Sequence, residues 1–238
     1  AIRFSGVTTI PPAVTSSMIS PFCAVISIRL NIATCLRCFP QPVENYFLLP
    51  IKLSMMPSVG RQVAQTLLES GVVYVNPRQP LTNFSGITSP IYADTTLLIS
   101  QPKPREAILD ALEDTFREHY SNTDALAARI GSGSPWATQL AHRLNLPVVL
   151  VRKQRKRCSH KNLFDGEIDP SWKILLFEAS VISAHSIRST INKIRRTGCD
   201  VTDLLTILDY ELPMASNVVA KAGFHKVPLT TLDELLAC

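Results

Sequence analysis

Glu178 closes an apolar run, Ile174-Leu175-Leu176-Phe177, and a hydroxyl-bearing stretch from Ser180 to Ser186 follows before a new periodic segment starts at Ile187. An apolar run of this length, bounded by polar residues, reads as a buried strand over 173–178. Its end opens into a polar loop that feeds a helix. In open α/β sheets ligands bind outside the carboxyl ends of the strands, and a helix N-terminus attracts anions. A second cluster, Arg152-Lys153-Gln154-Arg155-Lys156, directly follows another apolar run, Leu146 to Val151. Cations placed just past a buried strand suit a highly charged anion. A solvated charged loop and a basic nucleic-acid patch are the competing readings of that run.

The surrounding pattern supplies elements to position these groups. Apolar residues at 59, 63, 64, 67 and 68 make one helical face that stops at Gly71. Val72 to Val75 is a short β-prone run, and 82–100 reads as a hairpin or meander punctuated by Gly86 and Pro90. A helix is predicted over 104–120, with Ile108, Leu109, Leu112, Thr115 and Phe116 on one face. Residues 125–130 enter a glycine-bearing loop, Gly131-Ser132-Gly133-Ser134-Pro135, and helix 136–144 and strand 146–151 follow. Residues 152–169 form a basic connection. Strand 173–178, helix 186–197, strand 201–208, helix 215–222 and a short terminal helix over 232–236 complete the order. His119, His142 and His225 read as surface or helix-end residues. Short apolar strands alternating with helices predict an α/β fold: a doubly wound, mainly parallel sheet flanked by helices, with a small N-terminal hood over 72–100.

Residues 1–54 differ from the rest. They hold Arg3, Arg29, Arg37 and Lys52 against Glu44 alone, with repeated prolines and many Ser and Thr. An organelle transit segment and translated upstream sequence ahead of Met55 or Met56 both fit, the second better, because Arg is sparse and no clean amphipathic helix appears. The body, 55–238, then carries 20 Lys and Arg against 18 Asp and Glu, close to neutral within a chain of net charge +5. That balance suits a small anionic ligand and gives no argument for nucleic acid. Six cysteines in 238 residues are too sparse for a disulfide scaffold, and Cys35-Leu36-Arg37-Cys38 is a lone CxxC without a second pair. No apolar run reaches the ~18–20 residues of a membrane span. A cytoplasmic protein is expected, or an organellar one if 1–54 is a transit segment.

Several motifs in order carry a resemblance. Ser85-Gly86, Ser89-Pro90, Tyr92 and Asp94 match a hood written SG..SP.Y.D. Leu150-Val151-Arg152-Lys153 and Lys156 match YVRK..K. The 131–135 loop matches a glycine-bearing diphosphate loop, the stretch from Phe177 to Ser186 matches a phosphoribosyl-diphosphate loop, and Asp209-Tyr210-Glu211 matches a closing strand motif. Over about residues 58–236 the chain resembles the type I phosphoribosyltransferases, in particular their orotate-specific branch.

The resemblance implies transfer of ribose 5-phosphate from phosphoribosyl diphosphate to orotate or another base, in pyrimidine nucleotide synthesis. It implies Mg²⁺ bound with the phosphoribosyl diphosphate, no protein-held metal, and a homodimer whose mobile loop reaches the neighbouring site. It assigns catalytic roles to Glu178, Lys153 and Lys156. It assigns substrate contacts to Arg152, Ser183, Ser186, Ser85, Gly86, Tyr92, Asp94 and Gly133. The sequence departs from the family in places. Ala179 stands for the second acid of the loop, Ala184 and His185 for its glycine and small residue, Phe84 for a hood lysine, and Arg129 for a small or apolar residue. These departures keep an alternative open: a catalytically impaired paralogue that serves as a nucleotide-binding or protein-interaction module.

Overall fold

The computed structural model describes residues 58–82, 86–155, 163–183, 185–213, 215 and 223–238. Its centre is a six-stranded sheet of β5 (Ala125–Arg129), β6 (Val148–Val151), β7 (Phe164–Asp165), β8 (Lys173–Val181), β9 (Asp200–Asp209) and β10 (His225–Thr231). The spatial order is β10-β9-β8-β5-β6-β7. Every neighbouring pair is parallel except β6 with β7. Helices cover both faces, so the expected doubly wound architecture holds.

Local chemistry explains where the helices begin and end. α1 (Val59–Glu69) starts at Ser58, whose Oγ accepts a hydrogen bond from the Arg61 N–H. α2 (Pro102–His119) has prolines only in its first turn, where no intrahelical N–H is needed, and it buries Ile108, Leu109, Leu112 and Phe116. α3 (Ser134–Leu144) ends at Asn145 in the left-handed region, whose N–H turns back to Ala141 and His142. α4 (His185–Arg195) follows β8. α5 (Leu232–Ala237) opens with a reciprocal capping box between Thr231 and Glu234.

Side-chain alternation along β8 divides the interior into two layers. Leu175, Phe177 and Ala179 join α1, α2, α3 and α5 in one layer, whereas Ile174 and Leu176 join Ile187, Ile191 and Ile194 of α4 in the other; Val181, the last residue of the strand, breaks the alternation and joins the second layer. Ahead of the sheet, β1 (Val73–Val75) pairs antiparallel with β4 (Ile91–Ala93), and β2 (Leu81–Thr82) with β3 (Thr88–Ser89).

Five expectations need correction. The strand carrying Glu178 does not stop there: Ser180 pairs with Leu208 and Val181 with Asp209. The neighbouring β9 offers backbone partners that far, and Ala179 and Val181 are both fully buried, so the extended chain continues past Glu178. Val59 is 51% exposed, because the buried stripe of α1 starts with Gly60 and Val63. Thr95–Ser100 is a 3-10 helix capped by the Asp94 carboxylate rather than part of a meander. The basic connection contains β7, held by Leu150 and Val151 across from Asp165 and Phe164. Finally, His225 opens a strand that the sequence pattern hid. Pro228 breaks the usual strand signature, yet β10 lies at the sheet edge, where a missing N–H is tolerated. Apart from Ala215, the helix expected over 215–222 lies outside the described residues.

Candidate active site

Parallel strands put their carboxyl ends at one edge, and the chemistry-bearing residues gather there. Glu178 sits three residues before the end of β8, 4% exposed, on the face that packs against α4. Arg129 ends β5, the next strand. The Arg129 Nε lies 4.0 Å from the Glu178 Oε1. Both atoms are buried, and neither has a hydrogen-bond partner. Burial pushes the Glu178 carboxyl up to about 7, and the nearby Arg129 charge opposes that rise.

The glycine loop leans directly on this strand. A Cβ added to Gly133 would lie 3.4 Å from the Ala179 nitrogen and 3.5 Å from the Phe177 carbonyl oxygen. These are ordinary contact distances, so the N-terminus of α3 packs on the β8 backbone beside Glu178. Ala179 is fully buried and packs with the layer of Phe177 and Trp136. It points to the opposite face from Glu178, so Glu178 is the single carboxylate of that pair of positions.

On the other side of β5, Arg152 follows β6 and its Nη2 lies 2.7 Å from the Asp165 Oδ2 of β7. Lys153 is exposed, and Lys156 lies outside the described residues. Lys193 of α4 binds this corner together: its Nζ donates to the Arg152 carbonyl at 2.7 Å and to the Lys153 carbonyl at 3.0 Å. Burial and then the Arg129 charge hold the Lys193 ammonium below its usual range. Arg129 beside Glu178, Arg152 beside Asp165, and Lys193 and Lys153 near them leave cations in excess at this corner, a field suited to a polyanion.

The hood residues form a second compartment. A cavity of about 290 Å³ is lined by Leu81, Ile87, Ile91 and Tyr92 from the hood and by Ile182 and Tyr210 from the ends of β8 and β9. Tyr92 has its phenol raised, first by burial and then by the Asp94 charge. The Asp94 carboxylate accepts from the Thr96 N–H at 3.1 Å and also binds the Thr96 hydroxyl, so it caps the 3-10 helix and does not line this cavity. Gly86 holds φ +78 in an open turn. Ser85 lies outside the described residues.

The structure thus brings Glu178, Arg152, Lys153 and Gly133 to one edge of the sheet and sets Tyr92 in the adjoining cavity. Ser183 directly follows the residues at the end of β8, and Ser186 sits in the first turn of α4, its carbonyl accepting from the Thr190 hydroxyl at 3.0 Å. Lys193, Asp165 and Tyr210 were not singled out as site residues by the sequence. Lys193 occupies an ordinary position in a basic helix, and no spacing marks it. Asp165 ends a short strand hidden in a polar stretch. Tyr210 appeared only as part of a strand-end motif. Among the described residues no group of three or more His, Cys, Asp or Glu side chains makes a metal cage.

A mainly parallel sheet with Glu178 buried among cations toward its carboxyl edge, beside an antiparallel hood with its own cavity, defines a doubly wound α/β protein. Comparison with known proteins gives the family. The orotate phosphoribosyltransferase of Bacillus cytotoxicus is 31% identical over 175 residues, 74% of this chain and 83% of that protein. That of Bacillus mycoides is 34% identical over 175 residues, with the same coverage. The crystal structure of the Aeropyrum pernix orotate phosphoribosyltransferase superposes with a TM-score of 0.63 at 26% identity, covering 74% of this chain and 96% of that one. No protein-family model matches the chain. The chain belongs to the orotate phosphoribosyltransferase family.

Proposed function

We propose that this chain transfers ribose 5-phosphate from phosphoribosyl diphosphate to orotate, giving orotidine 5′-phosphate and diphosphate. Glu178 carries the reading: a buried carboxylate near the carboxyl end of β8, with Arg129 ending the adjacent β5, Arg152 following β6 beyond it, and a cavity at the end of the same strand. In the reaction the bond between C1′ and the diphosphate oxygen breaks and its electron pair leaves with diphosphate. The deprotonated ring nitrogen of orotate supplies the pair for the new bond at C1′. Glu178 would hold ribose hydroxyls and offset the positive charge that develops on the ribosyl ring. Arg152, Lys153 and Lys156 would neutralise the departing diphosphate. Ser183 and Ser186, around the start of α4, would take the 5′-phosphate. Tyr92, with the turn at Ser85 and Gly86, would bound the base, and Asp94 would fix that wall through the 3-10 helix it caps. The basic stretch from Arg152 to Lys156 would close over the site, reaching the neighbouring subunit of a homodimer.

Mg²⁺ is the cation the family reading brings with phosphoribosyl diphosphate. The protein's own donor set does not fit it well. The Glu178 Oε1 faces a guanidinium, Asp209 at the end of β9 is paired with the Lys226 ammonium, and Ala179 offers no oxygen. Any Mg²⁺ would be held by substrate oxygens, and none of the roles above depends on it.

A coupled assay for diphosphate release, run with orotate and phosphoribosyl diphosphate, tests the reading. Turnover that disappears in Glu178→Gln supports it. Release that is independent of orotate, or absent from the wild-type chain, overturns it. Light scattering of the same preparation checks the dimer.

A further inference from the structure

The Arg129–Glu178 pair has features that a structural ion pair would not need. The Arg129 Nε and the Glu178 Oε1 are buried and unpartnered, and at 4.0 Å they are too far apart for a hydrogen bond to each other. Buried polar groups left in that condition cost stability, and they concentrate where a ligand completes the network. The far side of the same guanidinium is open. The Arg129 side chain is 36% exposed, and its Nη2 reaches to 4.0 Å from where a Cβ on Gly131 would stand. Arg129 therefore spans from the carboxylate on β8 to the mouth of the glycine loop that starts α3. Lys193 lies within electrostatic reach of it. On this edge a fixed monovalent fork stands beside one carboxylate. Of the other described acids that end strands here, Asp165 is paired with Arg152 and Asp209 with Lys226, so neither is free to share a divalent cation with Glu178.

We infer that Arg129 binds the diphosphate end of phosphoribosyl diphosphate directly, as the fixed cation between Glu178 and the glycine loop, so that this site takes the anion without a divalent metal. The inference rests on the proposed function and adds a substrate-binding residue and a metal requirement to it. A guanidinium suits the role. It presents parallel N–H donors to phosphate oxygens and stays charged at every working pH. Nε keeps the carboxylate side in place while the Nη groups face the oxyanions.

Isothermal calorimetry on the full chain decides the matter, with inorganic diphosphate and with phosphoribosyl diphosphate, each in excess Mg²⁺ and in excess EDTA. Wild type is expected to lose less than about tenfold in affinity on chelation, since its cation is covalently fixed. Arg129→Gln should weaken binding in EDTA by about 10²-fold, with part of the loss restored by Mg²⁺. Arg129→Lys should fall between, keeping charge and losing the fork. Loss of wild-type binding in EDTA, or an Arg129→Gln variant that binds like wild type there, overturns the inference while the function stands. No wild-type binding in either buffer overturns the proposed function and this inference together. Thermal unfolding of each variant guards against misfolding, and should Arg129→Gln not fold, the wild-type chelation result alone decides.

Discussion

The Tyr210 hydroxyl, just past the end of β9, accepts a 2.9 Å hydrogen bond from the backbone N–H of Ala93 in the hood. The two residues are 117 positions apart in sequence, and both are buried. This bond fixes the hood strand carrying Tyr92 against the end of the sheet, so it sets the width of the cavity between them. Burial pushes the Tyr210 phenol up to about 12, so the acceptor is a neutral hydroxyl across the ordinary pH range.

Tyr210→Phe should therefore leave the Ala93 N–H without an acceptor and cost about 1–3 kcal/mol of stability. Chemical denaturation measures the loss, and amide exchange at Ala93 should accelerate. KM for the base should rise more than KM for phosphoribosyl diphosphate. Unchanged exchange at Ala93 would show that another group holds the hood.

Glu178 should make stability depend on pH. Its folded value of about 7 lies above the ordinary 4.5, so between those limits the folded chain holds more protons than the unfolded chain. Stability must fall as pH rises through that window, and the whole penalty, on the order of 3 kcal/mol, is present above it. Arg129 is the charge that limits the rise. Urea unfolding at pH below and above the window should show this drop in wild type and a much smaller one in Glu178→Gln, which in turn should lose about 10²–10³ in turnover. Equal drops in both proteins would place the titration elsewhere.

Gly166 stands at φ +96, where a Cβ would meet the Val148 carbonyl oxygen at 2.8 Å. Gly166→Ala should cost about 1–3 kcal/mol, because an L side chain is strained there and the obstacle is backbone. The turn holds β7 on β6 and so sets Asp165 against Arg152. The variant should raise KM for phosphoribosyl diphosphate as well as lower the melting temperature. A thermal shift without a KM change would separate Arg152 from substrate binding.

Lys193→Met removes both hydrogen bonds that tie α4 to the Arg152 and Lys153 carbonyls. Lys193 acts through those residues as a positioning group. The expected result is KM for phosphoribosyl diphosphate up by about tenfold with kcat nearly unchanged, the pattern of lost uniform binding. Steady-state kinetics against each substrate tests this. A fall in kcat at constant KM would instead give Lys193 a part in the transition state.

Local pattern in the sequence sufficed for the parallel architecture. Short apolar runs and helical faces are written in residues near one another, and burial of Phe177, Leu176 and Leu175 follows from their chemistry alone. Glu178 and Arg152 could be singled out in the same way, because each adjoins a readable apolar run. Where the sequence misled, a distant neighbour was responsible. β8 runs past Glu178 because β9 is long enough to pair with it, and β10 tolerates Pro228 because it lies at an edge. Neither fact is visible until the strand order is known.

The residues by themselves determined that a carboxylate would adjoin one apolar strand and a set of cations would follow another, since strand, loop and charge are properties of contiguous sequence. Only the tertiary structure decided that Arg129, an odd residue in a glycine loop's approach, would stand 4.0 Å from Glu178, and that Lys193 would reach across to the Arg152 and Lys153 carbonyls. Those pairings depend on which strands lie side by side and on which face each side chain points, and both are settled by packing between segments far apart along the chain.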